Sequence, residues 1–231
     1  MHEDTVDIPL KTIILISANS EWRATRELLS VREVESTPMG QWFEHGGMRY
    51  FHGGWGKISA AATAQYAIDH FQPDLMVNLG TCGGFASIIE PGEVILVERT
   101  IVYDIIEQMG DSAEALAHYS TELDLSWLKQ PYPHPVRKGL LVSADRDIVV
   151  EDIPKLVKQY GAFAADWESG AIAWVAKKNN IRCLILRGVT DLVGAGGGEA
   201  YGNIALFHER TRDVMKVLLE QLPDWLQNIE S

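Results

Sequence analysis

Cysteine, positive charge and long apolar runs are all scarce in this chain, and each scarcity closes off a class of protein. Cys82 and Cys183 are the two cysteines among 231 residues, too few for a disulfide framework. Lys and Arg number 20 against 32 Asp and Glu, a formal net charge of −12. A protein that grips a phosphate backbone needs clustered cations, so no nucleic-acid partner is expected. No run of about 18 apolar residues occurs, which argues against a membrane span. The opening stretch, Met1 to Lys11, is polar and acidic rather than leader-like. The expectation is a soluble cytoplasmic protein.

Familiar catalytic motifs are missing as well. Gly56-Lys57 is followed by Ile58, so there is no Walker-type phosphate loop. The seven histidines are scattered without metal-ligand spacing. His208-Glu209 opens like a zinc-helix motif, but Arg212 stands where its second histidine belongs. No Gly-x-Ser-x-Gly elbow occurs. No Gly-x-Gly-x-x-Gly follows the first strand, which argues against a nicotinamide-dependent oxidoreductase. Neither a metal nor a cofactor is expected.

What is present is the makings of a packed α/β fold. Hydrophobic residues make up 46% and charged residues 23%, which suits a globular core rather than disorder. A chain of this length buries roughly 70–75% of its unfolded surface, and no linker or repeat divides residues 1–231, so a single domain is expected. Thr12–Ser17, Met48–Phe51, Asp74–Leu79, Glu93–Asp104, Gly139–Ser143 and Arg182–Val189 read as strands. Helices are expected from Glu21, capped by Ser20, to Leu29, and over Ile58–Phe71, Glu151–Tyr160, Glu168–Lys178 and Tyr201–Gln221. Glu107 to Pro135 reads as an irregular insertion, and Gly194–Gly198 as a flexible loop. The alternation predicts a three-layer α/β/α sandwich around a central mixed sheet.

Three carboxylates fall in similar places. Glu21 follows the first strand, Glu168 opens a helix and Asp191 follows the strand Arg182–Val189. Strand C-termini converge on one rim of such a sheet, so the three could share a pocket. Each also has a plainer reading. Glu21 and Glu168 are first-turn residues favoured by the helix dipole, and Asp191 could stabilise its own turn. Gly80-Thr81-Cys82-Gly83-Gly84 reads as a turn after a central strand, where backbone N–H groups can approach a ligand. Cys82 there is either an exposed nucleophile or a small residue filling a tight loop.

Four ordered segments carry a resemblance to a known family. Gly54-Trp55-Gly56-Lys57-Ile58-Ser59-Ala60-Ala61 resembles the Gly-hydrophobic-Gly-Lys-x-x-Ala-Ala segment of the nucleoside phosphorylase/nucleosidase superfamily. Asn78 to Gly84 resembles its Asn-x-Gly-Ser/Thr-x-Gly-Gly segment. Asp166-Trp167-Glu168-Ser169-Gly170-Ala171 resembles Glu-Met-Glu-x-x-Ala, and Arg187-Gly188-Val189-Thr190-Asp191 resembles Arg-x-Ile-Ser-Asp. The resemblance spans about Thr12 to Leu219. It lies nearest the 5′-methylthioadenosine/S-adenosylhomocysteine nucleosidase branch, whose first strand ends in a segment carrying a Glu, as Ser17-Ala18-Asn19-Ser20-Glu21 does. The Gly-Asp-Pro-x-Arg-like phosphate loop common in the phosphorylases is missing here.

The resemblance implies hydrolysis of the N-ribosyl bond of a purine nucleoside through an oxocarbenium-like state. Asp191 would be the general acid toward the base, held by Thr190. Glu21 would position and deprotonate water, and Glu168 would bind the ribose hydroxyls. Thr81, Cys82 and Gly83 would line the site, Ile148 would offer backbone to the base edge, Arg187 would support the site and Tyr201 would stack or close over the substrate. The partners implied are a small nucleoside, water and a second copy in a homodimer. Two departures bear on substrate choice. Asp147, preceded by Arg146, stands where the family has an aromatic beside the base. Trp167 stands where it has Met under the ribose. The competing readings are a phosphate-dependent phosphorylase and a non-catalytic nucleoside-binding or storage protein on the same fold.

Overall fold

The structure is a computed structural model that describes residues 10–230; Met1 to Pro9, most of the acidic opening stretch, lie outside the described residues. β1 (Thr12–Ile16) is buried along its whole length. Its alternating side chains serve two cores, because successive residues of a strand face opposite sides of the sheet. Ile13 and Leu15 pack with the apolar face of α2 (Gly56–Phe71) and α5 (Ser169–Lys178). Ile14 and Ile16 pack with α1 (Asn19–Leu28) and α6 (Ile204–Gln227), including Trp22, Met215 and Trp225. Helices thus cover both faces of the sheet, and the chain is a three-layer α/β/α sandwich.

The sheet is mixed. β5 (Leu75–Phe85) and β4 (Met48–His52) flank β1 in parallel, and β10 (Arg182–Gly194) runs parallel to β5. β6 (Val94–Val102) is antiparallel to β10 and parallel to β8 (Arg137–Ser143), and β9 (Ala164–Asp166) bridges β8 and β5. The β5–β10 pairing closes these five strands into a ring. β2 (Glu35–Thr37) and β3 (Gly40–His45) extend the sheet beyond β4.

Several expectations from the sequence are corrected. Gly80–Gly84 is not a turn: β5 runs through it to Phe85, paired with β10 and β9. Its glycines clear space, since a Cβ on Gly84 would stand 2.6 Å from Ile89 Cγ2 and 2.9 Å from Leu192 and Val189 side-chain carbons. β10 likewise continues past Val189, so Asp191 lies inside the strand, at an irregularity in its pairing with β5. Gly194–Gly198 turns back as a hairpin whose β11 (Gly197–Gly198) pairs with β10. α1 is capped at Ala18 rather than Ser20, with the Glu21 carboxylate accepting the Ala18 N–H at 3.1 Å. The 107–135 segment holds α3 (Ser112–His118) and β7 (Ser120–Glu122) and buries Trp127 and Leu128. Residues 150–160 form an irregular helical stretch whose middle turn is α4 (Ile153–Lys155).

Candidate active site

Because β1, β5 and β10 are parallel, their C-terminal ends meet at one rim. That rim carries a cleft of about 420 Å³. Glu21 reaches it from the first turn of α1, Thr81 to Gly83 from β5, Thr190 and Asp191 from β10, and Glu168 from the junction of β9 and α5. Trp167, Ile148 and Tyr201 complete it.

Glu21 is almost fully buried, at 2% exposure. Its Oε1 accepts from the Thr81 N–H at 2.6 Å and from Thr81 Oγ1 at 2.8 Å, and its Oε2 accepts from Ala18 N–H. The carboxylate is therefore fixed from both sides. Gly80 makes this possible, because a Cβ there would stand 2.8 and 2.9 Å from the Glu21 oxygens and would land on Arg187 Nη1.

Arg187 is the one expected site residue that does not line the cleft. It is completely buried behind the cleft. Its Nη2 donates to Asn78 Oδ1 at 2.7 Å and pairs with Asp166 Oδ2 at 2.9 Å, and its Nε donates to Ser169 Oγ at 2.9 Å. Nη1 lies 3.9 Å from Glu21 Oε1. Nη1 thus has that charge nearby but no hydrogen-bond partner, while Nε and Nη2 are satisfied locally, as a buried guanidinium requires. Asp166 also accepts from Ser143 Oγ at 2.6 Å and Ser169 N–H at 3.0 Å. The pair ties β10, β9 and α5 together beneath Glu21.

Glu168 accepts the Gly56 N–H at 3.0 Å. Burial, and then the neighbouring Asp166 charge, push its pKa up to about 8. Asp191 is 6% exposed, and burial raises its pKa against the opposing effects of the Thr190 hydroxyl and Arg210. Thr190 Oγ1 has two acceptors in reach, Asp191 Oδ1 at 2.7 Å and the Cys82 carbonyl at 3.3 Å, and one proton to give. Burial also raises the Cys82 thiol well above its usual range, and its sulfur faces the Gly188 carbonyl at 3.7 Å. A buried thiol of this kind is a poor nucleophile, which favours the filler reading. The Tyr201 hydroxyl donates to the Ile148 carbonyl at 3.1 Å, and burial pushes its pKa up to about 12.

Trp55 was not foreseen as a site residue. It is 66% exposed, lines the cleft and stacks on Trp167 with ring centroids 5.3 Å apart and planes 28° apart. Its signal was the hydrophobic position between two glycines of the Gly54–Ala61 segment. Arg23, Phe207 and His208 also line the cleft; nothing in the local sequence marks Phe207, and His208 stood out only as half of a zinc-helix motif, both arriving on the first turns of α6. Among the described residues no group of three or more His, Cys, Asp or Glu side chains could hold a metal ion.

Fold and site together define an α/β/α protein with a small-molecule cleft walled by carboxylates at the ends of parallel strands. The sequence pattern of the phosphorylase superfamily matches residues 30–222, and the chain belongs to that family. It is 27% identical over 183 residues to a 5′-methylthioadenosine/S-adenosylhomocysteine nucleosidase of Buchnera aphidicola, covering 74% of this chain and 79% of the relative. A nucleosidase of the same name from Thermotoga maritima is 28% identical over 141 residues, 60% of this chain and 63% of the relative. Two crystal structures share the fold. A Helicobacter pylori nucleosidase mutant with 5′-methylthioadenosine in its active site superposes with a TM-score of 0.75 at 18% identity, covering 93% of this chain and 98% of the other. The Neisseria meningitidis nucleosidase bound to methylthio-immucillin-A gives 0.74 at 21% identity, covering 95% and 100%.

Proposed function

We propose that this chain is a nucleosidase that hydrolyses the N-ribosyl bond of a purine nucleoside such as 5′-methylthioadenosine or S-adenosylhomocysteine. The observation that carries the reading is that Glu21, Glu168 and Asp191, far apart in sequence, line a single cleft. The names of the sequence relatives support it.

The chemistry follows from the surroundings of each carboxyl group. Cleaving the bond leaves positive charge on the sugar and negative charge on the departing base. Asp191 supplies the proton to the base. When the Thr190 proton goes to the Cys82 carbonyl, the 2.7 Å contact between Thr190 and Asp191 is a bond only if Asp191 carries the hydrogen. Burial favours that neutral form, as a general acid requires. Glu168, held by Gly56, takes the ribose hydroxyls. Glu21 keeps one lone pair on Oε2 beyond its bonds to Thr81 and Ala18, and with it orients the attacking water and takes its proton. Thr81, Cys82, Gly83, Ile148 and Tyr201 shape the base and sugar positions, Trp167 with Trp55 walls the sugar side, and Arg187 acts through Asp166 and Glu21 without touching substrate. Water is favoured over phosphate because, among the described residues, the arginines lining the cleft are Arg23 and Arg146, and Arg146 is paired with Asp152. The chain acts as a single-domain cytoplasmic homodimer in this reading.

Incubating the purified protein with either nucleoside in phosphate-free buffer tests the proposal. Free adenine and the free sugar are expected. A strict requirement for phosphate, with ribose-1-phosphate as product, would assign the phosphorylase reaction instead, and binding without any turnover would assign the storage role.

A further inference from the structure

α2 begins without a cap of its own. Trp55 stands at its N-cap, and its first turn holds no acidic residue. The first N–H groups of a helix have no partner within it, and here two carboxylates from distant segments supply one. Glu168 accepts from Gly56 N–H at 3.0 Å, and Asp145 Oδ1 accepts from Lys57 N–H at 2.8 Å. Gly56 has a φ of +82°, a conformation that favours glycine, and a Cβ there would stand 3.0 Å from Asp145 Oδ1. The start of α2 therefore lies tight against Asp145.

Glu168 is itself the N-cap of α5, yet its side chain makes no bond to that helix. The donors it would take are already used: Ser169 N–H goes to Asp166 Oδ2 at 3.0 Å and Gly170 N–H to Ser143 Oγ at 2.9 Å. The carboxylate is thus released to cross to α2. Asp145 is anchored in its turn. Its N–H donates to Asp104 Oδ2 at 3.0 Å, and the Lys57 ammonium pairs with Asp104 and lies 3.7 Å from Asp145 Oδ2. The Lys57 and Asp104 side chains are 17% and 18% exposed, sheltered enough for a network of charges to hold its geometry. The segments that follow β6, β8 and β9 are in this way clamped to a single helix start.

We infer that Asp145 and Lys57 are positioning residues for Glu168: they hold α2 so that Gly56 N–H, with the positive end of the helix dipole behind it, meets the carboxylate that takes the ribose hydroxyls. The inference rests on the nucleosidase reading, which gives those hydroxyls to Glu168, and adds two residues that do not line the cleft. An ionised carboxylate can accept from both hydroxyls, whereas a neutral one has given up part of its accepting capacity. Burial favours the neutral form of Glu168, the Asp166 charge on β9 adds to this, and Gly56 N–H opposes it. Arg187 from β10 and Glu21 from α1 are the other charged groups that face it. Of these influences, the contact with Gly56 is the one that Asp145 and Lys57 control.

The first test needs no substrate. The Glu168 carboxyl is followed by carbon NMR against pH, its signal assigned by its loss in Glu168→Gln. Asp145→Ala removes an exposed side chain together with the acceptor that holds Lys57 N–H, and is expected to move the Glu168 midpoint to higher pH by about one pH unit. Losing the Asp145 charge alone would move the midpoint lower, so the direction separates positioning from charge. Asp145→Asn keeps an acceptor and is expected to stay near the wild type. An unmoved or lowered midpoint in Asp145→Ala, or an equal rise in Asp145→Asn, would overturn the inference. The second test measures binding by calorimetry in an Asp191→Asn background, which suppresses turnover. 5′-Methylthioadenosine is expected to bind Asp145→Ala and Lys57→Met about tenfold more weakly, and its analogue lacking both ribose hydroxyls to bind them as it binds the parent. Equal losses on both ligands would mean that the whole cleft has shifted, and would also overturn it. If the wild type releases no base while the midpoint moves as expected, the nucleosidase reading falls and the positioning of Glu168 stands.

Discussion

At the scale of single residues, two buried carboxyl groups set the pH behaviour. Asp191 has its pKa raised chiefly by burial, so its acid form persists to higher pH than a free aspartate's. Asp191→Asn keeps the shape and removes the proton, and kcat is expected to fall by about 10²- to 10⁴-fold. An unchanged rate in the base-release assay would remove Asp191 from the mechanism. Glu168 makes the opposite kind of statement, about stability. Its folded pKa is raised from 4.5 to about 8. Between those values the folded state keeps a proton that the unfolded state has lost, so stability declines as pH rises through this window. Glu168→Gln is expected to flatten the melting temperature against pH between 4.5 and about 8. An undiminished slope in a calorimetric pH series would mean that another group is responsible. Glu21 and Asp191 were legible in the sequence because each follows a strand signal, and Glu168 because it opens a helix within a segment that resembles the superfamily's. Arg187 was legible as a residue but not in its placement, since nothing local separates a guanidinium that faces a cleft from one sealed behind it by Asp166, Asn78 and Ser169.

At the scale of elements, six strands were found, but the ends of β5 and β10 were not, nor were the short strands β2, β3, β7, β9 and β11. Gly80, Gly83 and Gly84 read locally as a turn, because glycine is the commonest breaker of a strand pattern. In the fold they extend β5 because other side chains need the space a Cβ would fill. Gly84→Ala is therefore expected to destabilise the protein by about 1–3 kcal/mol through overpacking against Ile89, Leu192 and Val189. Urea denaturation measures this, and a variant as stable as the parent would show that the β5–β10 seam can widen. The same seam holds the Arg187–Asp166 pair. Arg187→Met leaves Asp166 buried without its counter-charge, at an expected loss of about 3–5 kcal/mol. The Gly194–Gly198 hairpin and the continuation of β10 past Val189 escaped the sequence for a related reason. Their pairing partners, Gly83 to Phe85 and the strand's own return, are set by tertiary contact rather than by local preference.

At the scale of the whole molecule, the proposed homodimer has to reconcile two features. One is an apolar surface near the cleft: Trp55 and Ile58 at the start of α2, and Ile106 and Met109 after β6, with Ile58 at 84% and Met109 at 98% exposure. Lys57 pairs with Asp104 and so holds these two segments side by side. Exposed apolar side chains gathered in this way mark a surface that a partner covers. The other feature is the net charge of −12, which makes two copies repel each other before they touch. If the apolar face drives association, the repulsion is the opposing part, and salt weakens only that part. The screening length falls from about 30 Å at 0.01 M to about 8 Å at 0.15 M ionic strength. The dimer's dissociation constant, measured by sedimentation, is therefore expected to fall as salt rises across this range, and Ile58→Glu to raise it at every salt concentration. A dissociation constant that rises with salt, and is indifferent to Ile58→Glu, would mean that ion pairs hold the copies together through some other face.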